Sequence, residues 1–428
     1  MGTKQIISKN ISANSTEYIG KDGELWVDTD TNKIKISDGA TAGGVDLVGI
    51  GGGGGGATTW AGITDINNAA GPDKIAVGRN AGSTGQGTES VAIGDEAGKT
   101  TQGNNATAVG NNAGETAQGA SSVAVGDLAG ALNQSPLAVA IGASAGQNDQ
   151  GTKSVAIGID SGLTTQGVSA IAIGASAGQT NQAEKAIAIG LDSGLTTQGA
   201  SAIAIGDETG QTNQAAKAIA IGRDAGSTGQ GTLTIAIGDQ AGQTNQVAQA
   251  VAIGNQAGGT DQALQAVAIG QQAGQTTQET LAVAIGTYAG RITQGTKSVA
   301  IGNLAGNDTQ SANSVAIGEQ AGVTTQSQHS VAIGALAGQT TQGESSVAIG
   351  KQAGKVNQGS SAVAIGNLAG VNNQHNNSIV IAASGSALET AQAGQFLVKP
   401  VRNVAGALPA GFSQVAYNPT TGEFIYYG

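Results

Sequence analysis

The stretch SVAIGDEAGKTTQGNN, residues 90–105, is one of nineteen copies of a 16-residue unit. The copies run from Lys74 to about Gln374 without insertion or deletion, and eighteen steps of sixteen separate the glycine of KIAVG (Gly78) from that of AVAIG (Gly366). A strict period of this length marks a solenoid, in which each unit buries its inner face only against its neighbours. Within the unit, Ser-Val-Ala-Ile-Gly alternates, so Val91 and Ile93 point one way while Ser90 and Ala92 point the other. Gly94 and Gly98 recur in every copy and bracket a first corner, where backbone torsion or close approach excludes a Cβ. The stretch Lys99-Thr-Thr-Gln102 reads as a second short strand, and a looser corner, often Gly-x-x, closes the turn.

Two strands and two corners per sixteen residues predict an all-β fold, a parallel two-sided β-roll. A three-sided hexapeptide helix would need about 18 residues per turn. Stacked at about 4.8 Å per turn, the units make a rod on the order of 90 Å long.

Side-chain hydrophobicity assigns the faces. The column Val77, Ile93, Val109, Val125, Ile141 and onward is never broken, and its companion two residues earlier is broken once, by Thr107. β-branched residues favour strand and fill a narrow interior, so both columns are expected inside. The opposite face carries alanine in all nineteen copies, from Ala76 and Ala92 to Ala364. Outward-facing, it would form a smooth apolar stripe large enough to mark an interaction surface, and predicts parallel self-association into a closed homotrimer. The residue eight after the strand glycine is glutamine in every copy, Gln86 to Gln374, and predicts a ladder of side-chain amides along the axis, at a corner or subunit contact.

SVAIG followed by Gly-x-x-Ala-Gly resembles the head repeat of YadA-type trimeric adhesins, over roughly residues 73–386. The resemblance implies a left-handed parallel roll of three intertwined chains. The 16-residue period and the glutamine column depart from the shorter adhesin unit. No adhesin-like neck, stalk, membrane anchor or export signal is read from the chain.

The flanks divide the chain into four parts: a β-module at 1–50, a glycine-rich linker and entry segment at 51–72, the shaft at 73–386, and a β cap or tip at 387–428. Residues 23–49, GELWVDTDTNKIKISDGATAGGVDLVG, read as strand, turn at 29–32, strand and glycine-rich turn, and are similar to the modules that open many phage tail-fibre and receptor-binding proteins. The end, FLVKPVRNVAG…QVAYNPTTGEFIYYG, resembles the ends of marine phage and large-virus fibre proteins, and its last fifteen residues read as a hairpin turning at 419–422. Six consecutive glycines, residues 51–56, read as a flexible tether, or alternatively as a tight passage where three chains converge. Most aromatic residues lie outside the repeat, with only Tyr288 inside it.

Composition excludes several functions. The chain has 428 residues, 72 of them glycine, and no cysteine, so disulfides and thiolate metal sites are impossible. A net charge of -11 offers no basic stripe for nucleic acid. No stretch approaches the roughly 20 apolar residues of a membrane span. GDEAGKT at 94–100 has one residue too few between its glycines for a phosphate-binding loop. DTDTN at 28–32 begins like a calcium loop but carries Lys33 where glycine is needed. His329 and His375 sit at variable outer positions, and Lys399 and Arg402 suit an anionic glycan or pairing within a trimer.

Threonine recurs six after the strand glycine in thirteen copies, but Leu132, Asn148, Ile292, Asp308, Val356 and Asn372 interrupt what would be an ice-binding ladder. No constellation for catalysis, cofactor or metal is predicted. The sequence therefore points to a structural, non-enzymatic viral fibre, a phage tail or head fibre assembled in host cytoplasm and exposed on the virion. Its N-terminal end would meet a virion protein and its C-terminal end a host surface glycan or protein. The alternative is a YadA-type bacterial surface adhesin.

Overall fold

A computed structural model of the chain describes residues 73–400 continuously, together with the strands Asn10–Ile11, Leu25–Asp28, Lys33–Ile36, Val45–Asp46, Gln414–Asn418 and Glu423–Tyr427. The predicted turns at 29–32 and 419–422, the glycine run at 51–56 and Arg402 lie outside the described residues. The strands flanking those two turns pair antiparallel, Leu25 opposite Ile36 and Gln414 opposite Tyr427.

The repeat folds into a parallel β-solenoid with one turn per 16-residue unit. Its first strand, three residues such as Val91–Ile93 or Ile219–Ile221, pairs parallel with the strand sixteen residues on, Ile219 beside Ile235 and Ala220 beside Ala236. The ladder runs unbroken from Ile75–Val77 to Phe396–Lys399. The second strand pairs in the same register but in shorter runs. The longest such run spans Asn148–Gln150 to Thr212–Gln214, and single bridges such as Thr228 to Thr244 continue it elsewhere.

The faces are the reverse of those expected from hydrophobicity. Ala92, Ala108, Ala220 and the rest of the alanine column are fully buried, whereas Ile221 is 36% exposed and Val91 half-buried. The Val/Ile columns lie on the outer surface and the alanines line the lumen, so the predicted alanine interface between chains is incorrect. The reason is width. The lumen is filled by Ala92, by Ala97 of the first corner, by small residues such as Ser90 or Ala106 before the strand, and by the glutamine of the opposite wall. Two opposed rows of Val and Ile would force the walls apart, while the outer face imposes no limit on size.

The glutamine ladder exists, but inside the coil rather than at a corner or between subunits. Gln102 is buried, and its Nε2 donates to the Val91 carbonyl across the lumen at 2.8 Å and to Oε1 of Gln118 in the next turn at 3.1 Å. The same pair of bonds repeats to Gln374, where Gln358 Nε2 donates to Gln374 Oε1 at 3.1 Å and Gln374 Nε2 to the Val363 carbonyl at 2.9 Å. Each amide ties the two walls of its own turn and links that turn to the next. A hydrogen bond of this kind contributes about 0.5–1.5 kcal/mol net, and a buried polar group left unpaired costs about 1–3 kcal/mol.

The two invariant glycines follow from this packing. At Gly94, with φ of 131°, a Cβ would sit 2.3 Å from the Gly110 carbonyl oxygen of the next turn. At Gly98 it would strike the Gln102 amide at 2.9 Å. The corners also hold non-glycine residues in the left-handed region, Glu96, Thr101 and Asn105 in one turn, at φ of 57°, 56° and 58°. The N–H groups of these three donate to carbonyls of the preceding turn (Arg79, Thr84 and Thr88) at 2.8 Å, which offsets the unfavourable torsion. Where the stack ends, Val380 replaces the lumen alanine and Leu388 and Leu397 pack against the core, so larger side chains close the C-terminal end.

Replacing Gln214 by methionine keeps the volume but leaves Gln230 Oε1 without its donor, removes the bond to the Ile203 carbonyl across the lumen, and takes one acceptor from Gln198. The expected result is a loss of about 1–3 kcal/mol for each group stranded, seen as faster backbone hydrogen exchange in the turns around 198–230. Unchanged protection there would show that the ladder does not hold the turns together.

Candidate functional site

Three surfaces of the roll are available to other molecules: the outer face of the first strand, the charged first corner, and the outer side of the second strand. The first of these is set by strand alternation. With Ala220 turned inward, Ile219 and Ile221 must turn outward, and the 16-residue register stacks them in two straight columns. The stripe they form is about 90 Å long and roughly 10 Å wide. It therefore exceeds the few hundred Å² usual for the largest apolar patch of a soluble monomer.

At the first corner the charges are paired between turns. The Arg79 guanidinium donates to Asp95, with Nε to Oδ1 at 2.9 Å, and holds that carboxyl below its ordinary range. Lys99 bonds Glu96 at 2.9 Å and reaches Glu115 at 3.4 Å, which lowers the Glu96 pKa and raises that of Lys99. Such exposed pairs each contribute little. One column differs. Asp192, Glu208 and Asp224 occupy the same corner position of successive turns, and Asp224 with burial, Asp207 and Asp192 push the Glu208 carboxyl up. The nearest guanidinium, Arg223, is shared between Asp224 at 3.3 Å and Asp239 at 2.8 Å.

The outer side of the second strand carries the threonine column, with Thr164 half-buried and Thr228 exposed, and the interruptions read from sequence fall within it. A shallow open groove of about 240 Å³ lies beside Val247 and Ala263, bordered by Asp261 and Glu279. Asn245 Nδ2 already donates to Asp261 Oδ1 there, at 3.0 Å.

His329 and His375 are exposed, as expected, and sit forty-six residues apart along the stack; His375 Nδ1 lies 2.9 Å from Thr390 Oγ1. Lys399 is exposed at the end of the ladder. Among the described residues no group of three or more His, Asp or Glu side chains is placed to hold a metal ion. No described helix is long and apolar enough to cross a membrane.

The feature that sequence reasoning missed is the outward stripe itself. The signal was present in the constancy of size: the strand alanine never varies, whereas its neighbours alternate among Val, Ile and once Thr. Comparison of the chain with protein-family models, with curated proteins and with solved structures finds no match.

The stacked carboxylates have a pH signature. A carboxyl whose pKa is raised on folding destabilises the fold above that pKa, and the penalty vanishes as pH falls below its ordinary value of 4.5. Glu208→Gln should therefore melt at a higher temperature than the parent at pH 7, with the difference disappearing near pH 3. A constant difference at all pH values would contradict the electrostatic origin.

Proposed function

We propose that the chain is the shaft-forming protein of a viral fibre, a structural and non-enzymatic trimer that holds a host-binding end away from the virion. The observation that carries the reading is the outward Val/Ile stripe. A free rod would present two β-branched side chains per turn to water along its whole length, and burying them calls for a partner surface of the same length and period. A second and third copy of the same roll, parallel and in register, supply it. The area, on the order of 900 Å² per chain, reaches the roughly 800 Å² that a stable protein interface buries per partner. The stripe follows one long edge of a rod, so closed rotational symmetry about that axis completes the assembly without open-ended growth.

The fibre role, rather than any other use of a trimeric rod, is supported by the flanking segments. Residues 23–49 are similar to fibre base modules and the C-terminal end resembles fibre tips, which gives the rod an attachment end and an exposed end. Inert surface chemistry suits this role: paired charges at the corners, interrupted polar columns, and a net charge of -11 that favours solubility of a large assembly.

Two experiments test the reading. Gold labels on residues 1 and 428 of the fibre on purified particles should appear proximal and distal to the virion respectively; labels absent from particles would contradict it. The double variant Ile205→Glu/Ile221→Glu should fold as a β-rich monomer in sedimentation, because it places carboxylates on the outer stripe only. Ala204→Glu, aimed into the lumen, should disrupt the roll itself. A full-sized oligomer from the isoleucine variant would move the interface elsewhere.

A further inference from the structure

A uniform stripe has a weakness: chains that repeat every sixteen residues can pair in many staggered registers, each burying nearly the same apolar surface. The stripe of this chain is not uniform. In its first column, valine or isoleucine occupies every turn from Ile75 to Ile379 except one, where Thr107 stands. Thr107 lies in the third strand of the ladder, paired on both sides with Val91 and Val123, and its backbone carbonyl accepts from Gln118 at 2.9 Å. Its hydroxyl, half-exposed on the stripe, has no hydrogen-bond partner among the described residues.

We propose that Thr107 sets the register of the assembly by meeting Thr107 of the other copies. This rests on the self-association through the stripe argued above. Once the stripe is covered, a hydroxyl facing only methyl groups has lost water without gaining a partner. In any stagger by whole turns, Thr107 faces Val91, Val123 or another apolar residue of the column. Antiparallel overlay of the full stripe places it against Val347. Among pairings that cover most of the stripe, only parallel chains in zero register bring hydroxyl to hydroxyl, where each can donate to the next around the symmetry axis. The logic is that of a single buried polar residue in a coiled-coil seam, which gives up some stability to exclude wrong pairings.

A second feature of the same column favours the same register, too weakly to fix it alone. Five successive turns carry isoleucine, Ile171, Ile187, Ile203, Ile219 and Ile235, with Val155 before them and Val251 after. In zero register isoleucine meets isoleucine in every one of these layers. A slip of one turn puts Ile235 against Val251 and Val155 against Ile171, so the layers at both ends of the block no longer match in volume.

The chain contains no cysteine, so disulfides can report register directly. Chains carrying Val299→Cys and chains carrying Val315→Cys are unfolded, mixed, refolded and oxidised, and the linked peptides are identified by mass spectrometry. With Thr107 present, only same-number disulfides, 299 to 299 and 315 to 315, are expected. With Thr107→Val in both chains, 299 to 315 disulfides should appear in an assembly of unchanged size, and Thr107→Ser should restore the same-number pattern. Same-number disulfides alone in the Thr107→Val assembly would overturn the role of Thr107 while leaving the stripe as the interface. Staggered disulfides, or none, in the Thr107 parent would overturn the in-register stripe itself.

Discussion

The glutamine side-chain amide that crosses the lumen and continues along it is the interaction on which the rest of this structure depends. A flat roll with sixteen residues per turn is too thin for a conventional core, and the apolar part of its filling is almost entirely methyl groups of alanine. Dispersion and apolar burial from such small side chains are modest. A buried amide at every turn, bonded to the opposite wall and to the next amide, supplies the specificity that bulky packing supplies elsewhere. It also explains why the column does not vary: any turn without it loses the tie between its walls and leaves the next amide oxygen without its donor. The first turns show the limit of the device, since Gln86 Oε1 and Gln102 Oε1 are buried without a partner among the described residues at the N-terminal end of the ladder.

Much of the architecture was legible in the residues. Period, strand positions, the two glycine corners and the amide ladder all follow from spacing and from which columns never change. Which face of the first strand turns inward did not follow. Alternation shows only that two faces differ, and a one-residue shift of the pattern exchanges them. Hydrophobicity ranks Val and Ile above Ala, and would decide correctly for a roomy interior. Here the lumen is set by a glutamine reaching from Gln102 to the Val91 carbonyl, and only alanine, serine or threonine fits beside it. Val380 appears in the lumen only at the last turn, where the repeat gives way to the closing segment. The polar surface was legible only in part: the exposure of both histidines follows from their variable positions, but the carboxylate stack at Asp192, Glu208 and Asp224 requires the turns to be superposed first.

The inversion changes what the outside of the molecule is for. An alanine exterior would be smooth and nearly featureless, whereas the Val/Ile stripe is larger, more apolar and patterned along its length. The same alternation that packs the lumen thereby produces an apolar edge whose period equals that of the fold. In the proposed trimer, folding of one chain and its association with others are coupled through a single strand, Ala inward and Val/Ile outward. The interior admits only small residues beside an invariant glutamine, and the exterior admits larger variation, so in the proposed trimer information about register is written on the outside. In the proposed fibre this division separates the tasks of building a rod and of matching three rods to each other.

The most direct test of the account is the exchange lifetime of the glutamine side-chain amide protons, followed by solid-state NMR after transfer of the intact protein to D2O. The amides of the lumen column, Gln118 to Gln358, should persist far longer than those of exposed glutamines such as Gln249 and Gln265. Equal, rapid exchange of both sets would mean that the amides are not locked inside the roll, and the inward placement of the alanine face would fall with them.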